Sequence, residues 1–287
     1  MRIIKKALPK DYTLIVSSDL HLGAPTVSED HIKEMVNVVV SNDNHYMVNI
    51  GDNIEAISPR DKRYQFSDCK YQTSQEQADA VIELFKPMKS KLLAVGFGNH
   101  EAVLMNDFNI GKYIAEQLHV PFGTVSYKLE VYCDSTMTLA HKMFFHHGAG
   151  SFSSVAKDDI QAEANIKAAL KNKLAKTGHS DCIVMGIGHV HRSILVEPTA
   201  HKKLHLTTDE DGKIRQHYRF DEPQNVSYIA PDSRYYFANP SFMKLYQNTE
   251  TDYNSYAERF MLPPSEIGYT KIIINDNKVQ SLEFVRM

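Results

Sequence analysis

Residues 92–101 read Leu-Leu-Ala-Val-Gly-Phe-Gly-Asn-His-Glu: an apolar run of strand length, a glycine on either side of a phenylalanine, then three polar side chains in a row. The same grammar recurs four times. Thr13-Leu14-Ile15-Val16 leads into Asp19-Leu20-His21, Tyr46-Met47-Val48-Asn49-Ile50 into Gly51-Asp52, Met143-Phe144-Phe145 into His146-His147-Gly148, and Cys182-Ile183-Val184-Met185 into Gly188-His189-Val190-His191. Buried strands that run out in acid, amide and imidazole groups bring those groups together where the strand ends converge. Carboxylate and imidazole both bind divalent transition metals, and a carboxylate can bridge two ions where an imidazole nitrogen serves one. The five clusters therefore spell a two-metal site, with Asp52 as its natural bridge.

Spacing supports this. Asp19 and His21 stand two residues apart, as do His189 and His191, and on extended or just-turning backbone this puts both side chains on one side. Gly51, Gly98, Gly148 and Gly188 let the chain turn sharply or approach the site closely. Between the strands lie helical patterns. Residues from about Ser28 to Val40 carry a capping serine and apolar positions Ile32, Met35, Val36 and Val39; Ser74 opens another helix, with Gln77 closing an S-x-x-Q capping box. A longer amphipathic helix is predicted from Ser154 to Lys176, with Ala162, Ile166, Ala169, Leu170 and Leu174 as its buried stripe and Gly178 as its stop. Its basic tail of Lys167, Lys171, Lys173 and Lys176 reads as a solvated face. After Arg192 the turn signals Asp211-Gly212 and Asn275-Asp276-Asn277 predict antiparallel hairpins. Eight of the 15 tyrosines fall in this part, where they read as packing residues.

The ordered set D-x-H, G-D, G-N-H-E, H-G and G-H-x-H, from Asp19 to His191, resembles the calcineurin-like metallophosphoesterase superfamily. The resemblance implies an α/β (α+β) chain folded as a four-layer α/β/β/α sandwich of two mixed β-sheets flanked by helices, with a dinuclear metal site at the strand ends. Residues 1–192 would form the core carrying all five motifs; residues 193–287 would be a β-rich part completing the second sheet or capping the site within a single structural domain. Asp19, His21 and His191 would hold one ion, Asn99, His189 and one histidine of the 146/147 pair the other, and Asp52 would bridge them. A histidine directly before glycine points to His147, and relatives with one intervening residue point to His146. His100 matches the histidine that faces the substrate and serves the leaving oxygen. Glu101 would orient His100 or a ligand, or else favour a helix N-terminus. Arg60 and Arg63, in the polar stretch after Asp52, are candidate substrate contacts.

The activity so implied is metal-dependent hydrolysis of a phosphate ester by in-line attack of a water held between two divalent ions roughly 3.5–4 Å apart. Manganese suits the mixed oxygen and imidazole donors, with iron, zinc or magnesium as alternatives. Gly51-Asp52 is followed neither by the Asp-Arg-Gly of the protein serine/threonine phosphatases nor by the tyrosine of the purple acid phosphatases. Lipid A pathway pyrophosphatases share the Gly51 to Ala56 pattern but carry arginine where this chain has His100. The chain resembles the phosphodiesterases and nucleases of the superfamily, and its residues 98–101, 111–118 and 147–150 resemble the phosphoesterases of bacteriophage genomes. The expected substrate is thus a phosphodiester in a nucleic acid or nucleotide, the rival a phosphomonoester; a catalytically weak metal-binding scaffold is the reading from another class.

Composition fits. The 287 residues, 43% hydrophobic, can bury a substantial core. With 32 basic against 35 acidic residues, net charge −3, the chain carries no strong electrostatic footprint for nucleic acid. Cys69, Cys133 and Cys182 lack zinc-knuckle or redox spacing and suit a reducing compartment. No apolar run is long enough to cross a bilayer, so the expected setting is the cytoplasm, or a host cytoplasm for a phage-encoded chain, without a membrane partner.

Overall fold

The structure is a computed structural model and describes residues 1–56, 70–105, 108–199, 203–219, 223–246 and 261–287. Two six-stranded sheets carry it. The first contains β1 (Arg2–Leu8), β6 (Ser126–Cys133), β7 (Leu139–His146), β8 (Val184–Ile187), β9 (Ile194–Val196) and β12 (Tyr235–Ala238), in the order β1-β6-β7-β8-β12-β9. The second contains β2 (Tyr12–Ser17), β3 (His45–Asn49), β4 (Leu92–Gly96), β5 (Phe122–Thr124), β13 (Gly268–Asn275) and β14 (Lys278–Arg286), in the order β14-β13-β2-β3-β4-β5. Both are mixed. β2 to β5 run parallel while β13 is antiparallel to β2; β7, β8 and β12 run parallel while β6 and β9 are antiparallel to their neighbours β7 and β12. β10 (Lys203–Thr208) and β11 (Ile214–Arg219) form a separate hairpin around the Asp211-Gly212 turn.

Alternation along the strands builds the layers. Leu14 and Val16 of β2 face the other sheet and pack with Val48, Leu129, Met143, Phe145, Phe237 and Ile272. Ile15, between them, points outward and packs with Met47 against Ile32 and Met35 of α1 (Glu29–Val40) and Val81 and Phe85 of α2 (Ser74–Phe85). On the far side, Ile166, Leu170 and Leu174 of α5 (Asp159–Ala175) cover Phe144, Met185 and Tyr236. Strands buried on both faces read as continuous apolar runs, which is why they were visible in the sequence. The result is the four-layer α/β/β/α sandwich. Residues after 192 supply β9 and β12 to one sheet and β13 and β14 to the other, and Tyr235, Tyr236 and Tyr269 sit in the core. Cys133 and Cys182 are free and buried; Cys69, Tyr253 and Tyr256 lie outside the described residues.

The helices depart from the sequence reading at their ends. On α1, Ser28 makes no capping bond; its hydroxyl meets His31 Nδ1 at 2.7 Å. The capping box of α2 lies one residue earlier than predicted: Thr73 Oγ1 accepts from Glu76 N (3.1 Å) and Glu76 accepts from Thr73 N (3.2 Å). Gln77 is needed elsewhere, buried with Oε1 accepting from Ala56 N at 2.9 Å. α5 starts at its Asp158 cap rather than near Ser154, and of the expected stripe Ala169 is exposed, since only the larger Ile166, Leu170 and Leu174 reach the sheet. Lys167, Lys171 and Lys173 are partnered by Glu163, Asp232 and the Ala149 carbonyl.

At the end of the sandwich where β2 and β7 begin, His141 ties the sheets together. Its Nδ1–H donates to the Asn277 carbonyl (3.0 Å) and its Nε2 accepts from Tyr12 OH (2.9 Å), which satisfies a neutral ring. Burial lowers its pKa to about 4, against the opposing pull of the Asn277 bond. Because the folded value is depressed below the ordinary 6.5, the unfolded chain binds more protons between pH 6.5 and 4, and stability falls as pH drops through that window. The expected loss is about 3 kcal/mol. Urea unfolding at pH 7 and pH 4 measures it, and His141→Gln should flatten the slope.

Candidate metal centre

All five polar clusters lie where strands end: after β2, β3 and β4 in one sheet and after β7 and β8 in the other. Open α/β sheets place their sites at the carboxyl ends of strands for this reason. The backbone there is strained. Asp19, His21, Asp52, His189 and His191 all adopt left-handed conformations, with φ of 53°, 50°, 50°, 70° and 51°, each at a cost of roughly 1–2 kcal/mol for a residue with a Cβ. The two-residue spacing of D-x-H and H-x-H thus works through paired left-handed turns rather than the extended backbone the sequence suggested. Hydrogen bonds between the loops hold the turns: Asp19 N to Gly51 O (2.9 Å), His21 N to Asp52 O (3.0 Å) and Phe242 N to Asp19 O (3.0 Å).

Among the described residues three groups of side chains converge, each with its donor atoms within 4.8 Å of one another: Asp19, His21 and His191; His21, Asp52 and His100; and Asp52, His147 and His189. In one half His191 Nε2 lies 3.3 Å from Asp19 Oδ1 and 3.1 Å from His21 Nε2. In the other, Asn99 Oδ1 lies 2.9 Å from His147 Nε2 and 2.7 Å from His189 Nδ1. Asp52 stands between the halves, its Oδ2 3.1 Å from His147 Nε2 and 3.8 Å from His21 Nε2. Imidazole nitrogens, an amide oxygen and carboxylate oxygens aimed at the same points are a donor set suited to divalent ions. His147 Nδ1, buried and without a hydrogen-bond partner, adds to this: the ring's contacts are made through Nε2, on the side of the cluster.

The histidine doublet is split by the end of β7. His147 joins the cluster, whereas His146 Nδ1 accepts from Gly148 N at 2.7 Å and its ring tilts against Phe144, outside the three groups. His100, at the start of α3 (Asn99–Ala102), rests edge-on to His21 with centroids 4.5 Å apart, its Nδ1 2.8 Å from the Glu55 carbonyl and its main-chain N–H donating to Asp52 Oδ1 (2.9 Å). Glu101 makes no hydrogen bond to His100. Its buried carboxylate accepts from Gly98 N (2.9 Å), Asp52 N (3.2 Å), Asn53 N (2.5 Å) and Asn53 Nδ2 (3.1 Å), clamping the turn that presents Asp52. Arg60 and Arg63 lie outside the described residues.

Sequence reasoning missed the buried support. Glu55 Oε2 lies 2.8 Å from His21 Nδ1. Asn239 Nδ2 donates to Ser18 Oγ (3.0 Å) and Asn239 Oδ1 accepts from Thr270 Oγ1 (2.6 Å), bracing the residue before Asp19 from β13. The only signal for Glu55 was its place three residues after Asp52; Asn239, 220 residues from Asp19 in sequence, gave none.

No family model matches the chain, and no curated protein matches it. Among solved structures it is similar to a metallophosphoesterase from Sphaerobacter thermophilus (12% identity, 96% of this chain and 88% of that one, TM-score 0.38). It is also similar to a conserved protein of Streptococcus pneumoniae TIGR4 described as a predicted phosphoesterase (12%, 96% and 98%, TM-score 0.33). A third is the NAD nucleotidase of Haemophilus influenzae (10%, TM-score 0.38), of which this chain, itself 96% covered, spans 49%. These likenesses are loose and decide nothing by themselves. The chain is a four-layer α/β/β/α sandwich of two mixed sheets with a cluster of potential metal ligands at the strand ends.

In this cluster the acids and histidines tune one another. Burial would raise the carboxyls of Asp19 and Asp52, but hydrogen bonds from His191 and His147 respectively, with the surrounding imidazoles, hold both below the usual carboxylate range. Burial would lower His147, yet its bond to Asp52 and the charges of Asp19 and Asp52 push it up to about 9. Burial, then the charge of Asp52, pushes Glu101 up to about 7. His100 is raised by Glu55 and Asp52 against its own burial. Among the described residues no helix is long and apolar enough to cross a membrane.

Proposed function

We propose that the protein is a metal-dependent phosphoesterase that hydrolyses a phosphodiester, in a nucleic acid or nucleotide, with two divalent ions of which manganese is the first choice. One observation carries the reading: the Asp52 carboxylate stands between two half-sites, 3.1 Å from a ring nitrogen of one and 3.8 Å from a ring nitrogen of the other. Asp19, His21 and His191 would hold one ion, Asn99, His147 and His189 the second, and Asp52 both. Bound there, the ions supply Lewis-acid charge and a water of lowered pKa, the chemistry of metal-assisted hydrolysis. Asn99 contributes a neutral oxygen, which keeps the cluster's negative charge low enough for an anionic phosphate to approach. His100, with Nδ1 tied to the Glu55 carbonyl, keeps Nε2 for the substrate, where it can serve a leaving oxygen.

The diester assignment rests on the chain's resemblance to the phosphodiesterases and nucleases of the superfamily and on that of residues 98–101, 111–118 and 147–150 to the phosphoesterases of bacteriophage genomes. Manganese-dependent turnover of bis-p-nitrophenyl phosphate against p-nitrophenyl phosphate tests it. Diester activity is expected; monoester activity alone would favour a phosphomonoesterase, and neither activity with metal bound would favour a scaffold. His100→Ala is expected to lower turnover by about 10²–10⁴ with metal content unchanged. Loss of metal in that variant would reassign His100 to the ligand set.

A further inference from the structure

Glu55 does two things with two different groups. Its side chain is 5% exposed, and Oε2 lies 2.8 Å from His21 Nδ1 and 3.5 Å from His100 Nδ1. Its main-chain carbonyl accepts from His100 Nδ1–H at 2.8 Å. An ionised carboxylate can only accept hydrogen bonds, so its contact with His21 places the ring proton on Nδ1. That leaves His21 Nε2 with its lone pair toward Asp19 (3.9 Å), Asp52 (3.8 Å) and His191 (3.1 Å). His100, packed edge-on against the same ring, is held by the same residue from the other side.

We propose that Glu55 is a positioning residue: its carboxylate locks His21 in the tautomer that offers Nε2 to an ion, while its carbonyl fixes His100 beside that ion. The proposal rests on the two-ion reading above. It adds that the two ions differ in their dependence on Glu55, since its carboxylate meets His21, in the Asp19, His21 and His191 half, at 2.8 Å. Main-chain bonds also anchor the loop. Glu55 N donates to Leu22 O (3.0 Å) and Ala56 N to Gln77 Oε1 (2.9 Å), so the backbone stays pinned when the side chain changes.

The test is manganese binding by calorimetry to wild type, Glu55→Gln, Glu55→Ala and His21→Ala, with thermal unfolding of each metal-free protein. Partners that orient a ligating histidine are worth 10–100-fold in metal affinity. Glu55→Gln, which keeps an acceptor but loses the charge, is expected to weaken one ion about tenfold, and Glu55→Ala about a hundredfold. The second ion and the melting temperature stay as in wild type. Because the carbonyl that holds His100 remains, excess manganese should restore turnover of bis-p-nitrophenyl phosphate in both variants with KM unchanged. Wild-type affinity for both ions in Glu55→Ala, with His21→Ala losing one, would overturn the role of Glu55 alone. Joint weakening of both ions with a lower melting temperature would overturn it in favour of general support. Absence of two ions from wild type would overturn the two-ion reading itself.

Discussion

Asp52→Asn is expected to lower metal-dependent hydrolysis about a thousandfold or more and to leave no more than one ion per chain. Among the described residues, Asp52 is the side chain that reaches ring nitrogens of both halves, through Oδ2 at 3.1 Å from His147 Nε2 and 3.8 Å from His21 Nε2. An asparagine there keeps the volume, and its carbonyl oxygen can still accept the His100 main-chain N–H that Oδ1 accepts at 2.9 Å. The fold is therefore retained. The bridging charge is lost, and with it the several kcal/mol that paired Lewis acids contribute, at about 1.4 kcal/mol per tenfold in rate. Metal content after gel filtration and steady-state rates measure the two effects together. Two retained ions with a rate within tenfold of wild type would mean that the halves do not share Asp52.

Gly98→Ala is expected to do comparable damage by a different route. A Cβ at Gly98 would lie 2.0 Å from Asp52 Oδ1, 2.6 Å from its Cγ and 2.5 Å from its main-chain nitrogen. The obstacle is the Asp52 carboxylate and its backbone, which Glu101 clamps and which cannot swing aside. Overpacking of this kind costs about 1–3 kcal/mol in stability, and displacement of Asp52 should remove both ions and lower turnover by at least about a hundredfold. Gly150→Ala is the control. A Cβ there meets nothing within 4 Å, although φ is +70°, so it should cost about 1 kcal/mol and leave turnover intact. Equal turnover in the two variants would contradict the close approach at Gly98.

What the sequence disclosed follows from how much of each signal is local. The runs Leu14 to Val16, Tyr46 to Ile50 and Leu92 to Val95 were legible because both faces of those strands are buried, and the α1 stripe because Ile32, Met35, Val36 and Val39 all pack on the second sheet. β1 was not legible: it is an edge strand in which Lys5 and Lys6 interrupt the apolar pattern. Pairings such as Thr270 with Val16 join residues 254 apart and leave no trace in either segment. At the site, residue types and order disclosed which side chains would gather. Their backbone was not foreseen, because left-handed φ at Asp19, His21 and Asp52 is imposed by hydrogen bonds from loops of other strands. For Glu101 the sequence offered a ligand or a helix N-terminus, and the structure has both, Asp52 N and Gly98 N; its bonds to Asn53 were not foreseen. Its distance to His100 is set in sequence, but its partners Asp52 and Asn53 arrive from β3.

Anomalous diffraction from a crystal grown with manganese tests the central claim most directly. Two peaks are expected, one among Asp19, His21, His191 and Asp52, the other among Asp52, Asn99, His147 and His189. No peak within that cluster, or donor atoms turned away from a shared centre, would contradict it.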